Sequence, residues 1–215
     1  EGLTNWKNVR VISVFTFVDS LQFAIFTWSL WPFVQQLHVT MDQSFTGVVL
    51  AFSGLGEALA APLLGYWSNK AGRILPPVYS ALLLSAAGNS LYLFIPVLPA
   101  ASTPYALICS RFLAGTGTGN RSCFRALVAA QSEGPDRAKA LASSGGAALL
   151  GLTIGPAAQL LFIWMGERSY DLGGVLLLSQ YTAPALLALV VNISSSIYIS
   201  VFLDDTLTRP DSDAT

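Results

Sequence analysis

Six runs of twenty or more mostly apolar residues, separated by short polar breaks, leave this chain few ways to fold. They fall at about 11–36, 45–66, 75–98, 105–130, 140–165 and 179–203 of 215 residues. About 20 such residues in a helix cross the hydrocarbon core of a bilayer, and a helix satisfies its own backbone hydrogen bonds in lipid. A membrane β-barrel would show alternating segments of about 10 residues, and these runs do not alternate. Charged residues make up 11% of the chain and hydrophobic residues 53%, with a mean hydropathy of +0.58. Soluble domains carry roughly 25% charged residues, so there are too few charges here to cover a water-facing surface. The expectation is an all-α integral membrane protein in a lipid bilayer, with residues 1–215 forming one bundle of six transmembrane helices.

The breaks carry turn and charge signals: HVTMDQS, SNKAGR, PAAST, QSEGPDRAK and GERSYDLGG. Lys7, Arg10, Lys70, Arg73, Arg137, Lys139 and Arg209 fall on one predicted side of the membrane, and only Arg168 on the other. This positive-inside bias predicts that both ends of the chain are cytosolic. Trp28, Trp31, Tyr66 and Trp67 lie near predicted span ends, as interfacial aromatics do. The first apolar run is too long for a cleavable signal peptide and lacks a small-residue cleavage site. The chain begins at Glu1 rather than Met, which predicts an excerpt of something longer. Cys109 and Cys123 fall in one predicted helix, about 21 Å apart at 1.5 Å per residue and beyond disulfide reach. The net charge of −1 points to no nucleic-acid partner.

Five ionisable residues fall within predicted spans: Asp19, Glu57, Arg111, Arg121 and Arg125. Each costs about 2.5–3.5 kcal/mol to insert, so each needs a partner, a wet cavity or a function. Helical rise places Asp19 and Arg121 at nearly one level, roughly 25 and 24 Å from the non-cytosolic face, with Glu57 at about 18 Å and Arg111 at about 9 Å. On a continuous helix Arg111, Arg121 and Arg125 lie within about 80° of one another, giving the fourth span one cationic face. Two roles fit that face: the wall of a path for a solute or ion, or, for Arg121 and Arg125, snorkelling to headgroups. Arg111 either meets a solute or braces helices. Gly115 with Gly119 and Gly151 with Gly155 form small-xxx-small faces that permit close helix packing. Pro156, with Gly145 and Gly146, marks a place for the fifth span to bend, whereas Pro32, Pro62 and Pro184 are ordinary in membrane helices. His38 is interfacial and solvated, or a pH sensor. The sequons at Asn120 and Asn192 lie inside spans. The sequence shows no nucleotide loop, metal spacing or nucleophile elbow, so neither an enzyme nor a cofactor or metal is expected.

Three motifs add a resemblance. Residues 65–73, GYWSNKAGR, resemble the G-x-x-x-D-[RK]-x-G-R loop between spans two and three of the major facilitator superfamily. Arg111, Gly115 and Gly117 resemble its R-x-x-x-G-x-G pattern, and Gly151, Gly155 and Pro156 its G-x-x-x-G-P helix. The resemblance implies one six-helix half of the superfamily's architecture, a 3+3 inverted repeat, with a C-terminal six-helix half as its partner. It also makes Gly65, Asn69, Lys70, Gly72 and Arg73 a cytoplasmic gating motif. Asn69 stands where the family carries an acidic residue, and a neutral amide cannot make that charge-assisted contact. WPFVQQL, GYWSN, RFLAGTGTGN and YTAPALLALVVN further resemble the lysosomal, ceroid-lipofuscinosis-associated branch of the superfamily.

The resemblance and the charges inside the spans together imply transport of a small, anionic solute by alternating access across a lysosomal or late-endosomal membrane. A chloride-conducting channel on the same fold is the alternative reading, and a non-transporting scaffold or receptor is a third. The buried Asp19, Glu57 and Arg111 count against the third, which has little use for charges that are so costly in lipid.

Overall fold

The computed structural model describes residues 4–37, 41–166, 170–172 and 176–204. The helices are α1 (Trp6–Gln36), α2 (Gln43–Ala71), α3 (Leu75–Phe94), α4 (Thr103–Thr118), α5 (Asn120–Ala130), α6 (Gly134–Ile163) and α7 (Ala183–Phe202), and the single-turn 3-10 helix Ile95–Val97 extends α3. The predicted site at His38 and the cations Arg168 and Arg209 lie outside the described residues.

Local chemistry starts and stops these helices. Asn5 caps α1, its side chain accepting from the Asn8 amide at 3.1 Å. Asp42 caps α2, accepting from the Gln43 amide at 2.7 Å and the Ser44 hydroxyl at 2.8 Å. These bonds, that from Ser44 foremost, hold its carboxyl below the ordinary carboxylate range. Four helices (α3, α4, α6 and α7) carry proline in their first turn, where the missing N–H has no intrahelical partner in any case. Pro184 therefore starts α7 rather than sitting within a span. α2 runs on through the polar stretch read as a loop, because nothing between Tyr66 and Ala71 breaks a helix. It ends where Gly72 takes φ +65° and returns its N–H to the Asn69 carbonyl at 3.4 Å.

Among the described residues five helices are long and apolar enough to cross a membrane: Trp6–Gln36, Gln43–Ala71, Leu75–Val97, Gly134–Ile163 and Ala183–Phe202. The run expected at 105–130 is not one continuous helix. It divides at Gly119, whose amide bonds the Thr116 carbonyl at 3.3 Å and whose carbonyl accepts from the Ser122 amide at 3.2 Å. Such i→i+3 bonds tighten the turn, and Gly117 and Gly119 lower the cost of the change because glycine is a weak helix former. The hydroxyls of Thr116, Thr118 and Ser122 bond nearby carbonyls at 2.6–2.8 Å, as backbone near a break in a membrane helix requires. Cys109 and Cys123 consequently sit on two helices, and both are free. The chain is also not wholly α-helical: strands Tyr170–Leu172 and Leu176–Leu178 pair antiparallel within the break before α7.

α1 packs along α6, while α2 and α3 both pack on α4 and α3 also meets α7. Close approach depends on small residues. A side chain at Gly115 would overlap the Ser53 carbonyl on α2, and one at Gly155 would overlap Ala24 on α1. The apolar core has two parts. Ile12, Phe15, Leu64, Val78, Phe124 and Ile199 cluster toward the N-terminal end of α1, and Phe26, Phe33, Tyr92, Leu107 and Ala185 cluster toward its other end. Near the start of α1, buried Asn8 donates to Gln131 at 2.6 Å and to the Asp204 carbonyl at 2.8 Å, tying α1 to the ends of α5 and α7. Leu63, Leu83, Leu161, Ile197 and Val201 point outward, each at least 61% exposed, as a lipid-facing surface requires.

Candidate functional site

Between the two apolar clusters lies a polar layer, and it holds most of the charges expected inside the membrane. Asp19 on α1 and Arg121 at the start of α5 meet there. Arg121 donates from Nε at 3.1 Å and from Nη2 at 2.9 Å, both to Asp19 Oδ2. Glu57 on α2 approaches the same guanidinium, its Oε1 3.8 Å from Nη1, and the Phe23 ring lies 6.0 Å away. Arg121 is thus shared between carboxylates from two helices, and its charge is matched.

Arg111, on α4, is in a different position. It is 6% exposed, and its guanidinium lies against the Phe26 ring at 4.3 Å and the Tyr92 ring at 4.4 Å, two rings that meet edge to face with centroids 5.3 Å apart. Both rings attract the cation. Nη2 donates to Asn89 Oδ1 at 3.3 Å, while Nε has no partner. Among the described residues no carboxylate lies within ion-pair distance of Arg111. Arg111, Asn89, Asp19, Gln22, Ser85 and Thr118 line a cavity of about 40 Å³, with Phe23, Phe26, Leu30 and Leu50 as apolar lining. By the measure that a water needs roughly 10–15 Å³, it admits about three waters.

The three arginines do not form the continuous cationic face that a straight helix predicts. The break at Gly119 places Arg111 on α4 and Arg121 on α5, and their surroundings differ. Arg125, one turn beyond Arg121, is exposed and does not line the cavity. Gly115 and Gly119 pack on α2, the latter with a Cβ position 2.8 Å from Ala60. Gly151 and Gly155 pack on α1, and Pro156 lies within α6, one residue past that contact. Of the gating residues, Gly65 lies two turns before the end of α2 and Gly72 forms its cap; Asn69, Lys70 and Arg73 are exposed or partly so.

The family model of the Major Facilitator Superfamily matches residues 12–214. The chain belongs to the major facilitator superfamily. It is therefore an integral, multi-pass membrane protein, and the cavity lies inside a superfamily bundle. Major facilitator superfamily domain-containing protein 8 of Xenopus laevis is 34% identical over 197 residues, which cover 91% of this chain and 38% of that relative's length. The chain thus spans about two-fifths of the relative that it matches.

Asn89, Tyr92, Phe26 and Gln22 carry no charge, and charge is what marks candidate residues within the spans of the sequence. A signal for Asn89 was present all the same: Gly88-Asn89 is a polar pair in the middle of a long apolar run, and a buried amide in lipid needs a partner as a charge does.

Proposed function

We propose that this chain is the first six-helix half of a transporter that moves a small, anionic solute by alternating access. One observation carries the reading. Arg111 is buried against two aromatic rings, with no carboxylate among the described residues to match it, although the other deep arginine has one at 2.9 Å. A guanidinium in a cavity favours anions because its planar fork donates in fixed directions. A scaffold has no evident need for that uncompensated charge.

The architecture in this reading is six spans in a 3+3 inverted repeat, the fourth span being α4 and α5 together. The packing of α1 on α6 and of α2 on α4 supports it, since the two pairings exchange when spans one to three are laid on spans four to six. A C-terminal six-helix half would close the cavity from outside. Its support is the length of the relative and the open space beside Gly47, Gly54, Gly145 and Gly146 on the outer faces of α2 and α6. The lysosomal or late-endosomal location rests on the branch resemblance in the sequence.

Flux of the full-length protein in vesicles under an imposed anion gradient tests the reading. Arg111→Lys, which keeps charge but loses the fork, should transport weakly. Arg111→Gln should transport hardly at all, with normal expression of both variants. Normal anion flux in a well-expressed Arg111→Gln protein removes the reading. The chloride-conducting channel is separated in the same vesicles by rate, since a channel passes far more ions per second than a carrier under the same gradient.

A further inference from the structure

We infer that Asn89 is the second ligand of the anion site, donating through Nδ2 beside Arg111 and so deciding which solutes bind. The inference rests on the anion-transport reading above, and its test is built to fail separately.

Backbone packing comes first. A Cβ at Gly88 would stand 2.6 Å from both the Ser110 carbonyl oxygen and the Ala114 amide nitrogen. Glycine therefore lets α3 lie against α4, and the next side chain, Asn89, is brought to the edge of Arg111. Asn89 is 1% exposed.

Donor and acceptor arithmetic does the rest. Arginine has only donors, so the amide must turn Oδ1 toward it, as it does at 3.3 Å. That choice leaves Asn89 Nδ2 as a donor without an acceptor, and Arg111 Nε is a second one. Both belong to residues that line the same small cavity. A buried donor left unsatisfied costs about 1–3 kcal/mol, and two on residues that touch each other and line one cavity call for an acceptor there. Water could accept from both but could not neutralise the guanidinium. An anion does both.

The rings of Phe26 and Tyr92 form a corner against the guanidinium, so part of its surface is closed to a ligand. The small cavity of about 40 Å³ favours a compact anionic group. That group is either a free inorganic anion or the carboxylate end of a larger solute, and separate probes distinguish the two.

The experiment is flux of chloride and of lactate, measured separately, by the full-length protein in vesicles. Asn89→Asp is the discriminating variant, because it keeps the shape, keeps an acceptor for Arg111 and places a carboxylate where the anion would sit. Flux of the transported probe should fall tenfold or more, with a thermal unfolding midpoint at or above the parent's. Parental flux in this variant overturns the inference, because a carboxylate beside Arg111 takes the anion's place; Asn89→Ser then separates a ligand from a mere acceptor. Asn89→Ser also guards against misfolding. A hydroxyl both accepts and donates, but it sits one bond closer to the backbone than the amide's oxygen and nitrogen and does not span Arg111 and the anion. The apparent KM should therefore rise several-fold; a parental KM likewise overturns the inference. Loss of flux in Arg111→Gln together with normal flux in Asn89→Asp rejects this ligand and leaves the transport reading standing. Normal flux in Arg111→Gln rejects both.

Discussion

Arg121 places two hydrogen bonds on a single carboxylate oxygen of Asp19, at 3.1 and 2.9 Å, and thereby joins the start of α5 to the middle of α1. The two residues are 102 positions apart in the chain. Their side chains are 24% and 16% exposed, so the pair is neither fully buried nor a surface contact.

The two single removals should together cost more than the double variant does. Arg121→Gln leaves Asp19 without its cation and Asp19→Asn leaves Arg121 only the 3.8 Å contact to Glu57, whereas the double variant leaves only the partly exposed Glu57 without its arginine. Breaking a fully buried pair costs about 3–5 kcal/mol, and partial exposure lowers the expected coupling in a double-mutant cycle to roughly 1–2 kcal/mol. Unfolding of the four proteins in detergent measures it. Additive effects would mean that the two side chains are merely neighbours.

Gly115→Ala should destabilise the bundle by about 1–3 kcal/mol, the usual range for overpacking. The new methyl would overlap the Ser53 carbonyl, and backbone cannot move aside as a flexible side chain can. Gly54→Ala, on the open face of α2, meets nothing within 4 Å and should stabilise by up to about 1 kcal/mol, alanine being the better helix former. Equal effects from both would show that packing on α4 does not decide the cost.

Asn69→Asp should strengthen closure at the cytosolic side. Asn69 is exposed in the last turn of α2, so its side chain is available to an incoming partner. A carboxylate makes hydrogen bonds roughly twice as strong as those of neutral groups. The carboxylate's own repulsion by the helix C-terminus, about 0.3–1 kcal/mol, opposes this but is smaller than a new charge-assisted bond. Cysteines in the cavity should then become less accessible from the cytosolic side. Unchanged accessibility would make GYWSNKAGR a cationic helix end and nothing more.

The proposed orientation is open to labelling. Asn69 and Ala101 are both exposed. In a background with Cys109 and Cys123 replaced by Ser, Asn69→Cys and Ala101→Cys should react from opposite sides of the membrane. Reaction of both from one side would be incompatible with the six-span arrangement.

Much of this protein was legible in order along the chain. The number and length of apolar runs, the polar breaks and the family motifs are one-dimensional properties, because lipid requires each run to satisfy its own backbone locally. Depth could be read the same way: counting 1.5 Å per residue placed Asp19 and Arg121 at one level, and they meet. What counting could not reach was anything that depends on a helix remaining straight or on which face meets which. The cationic stripe of Arg111, Arg121 and Arg125 assumed one unbroken helix, and the turn at Gly119 divided it into an aromatic-clad cation, a paired cation and an exposed one. The termination of α2 at Gly72 rather than near Tyr66 depended on one left-handed residue. Asn89 became part of the candidate site only because Gly88 lets α3 approach α4, and Arg111 stood out only because no acidic side chain among the described residues pairs with it. Hydropathy and helical rise act within a segment and are written in the sequence. Pairing of charges and donors acts between segments, and only the packed bundle decided it.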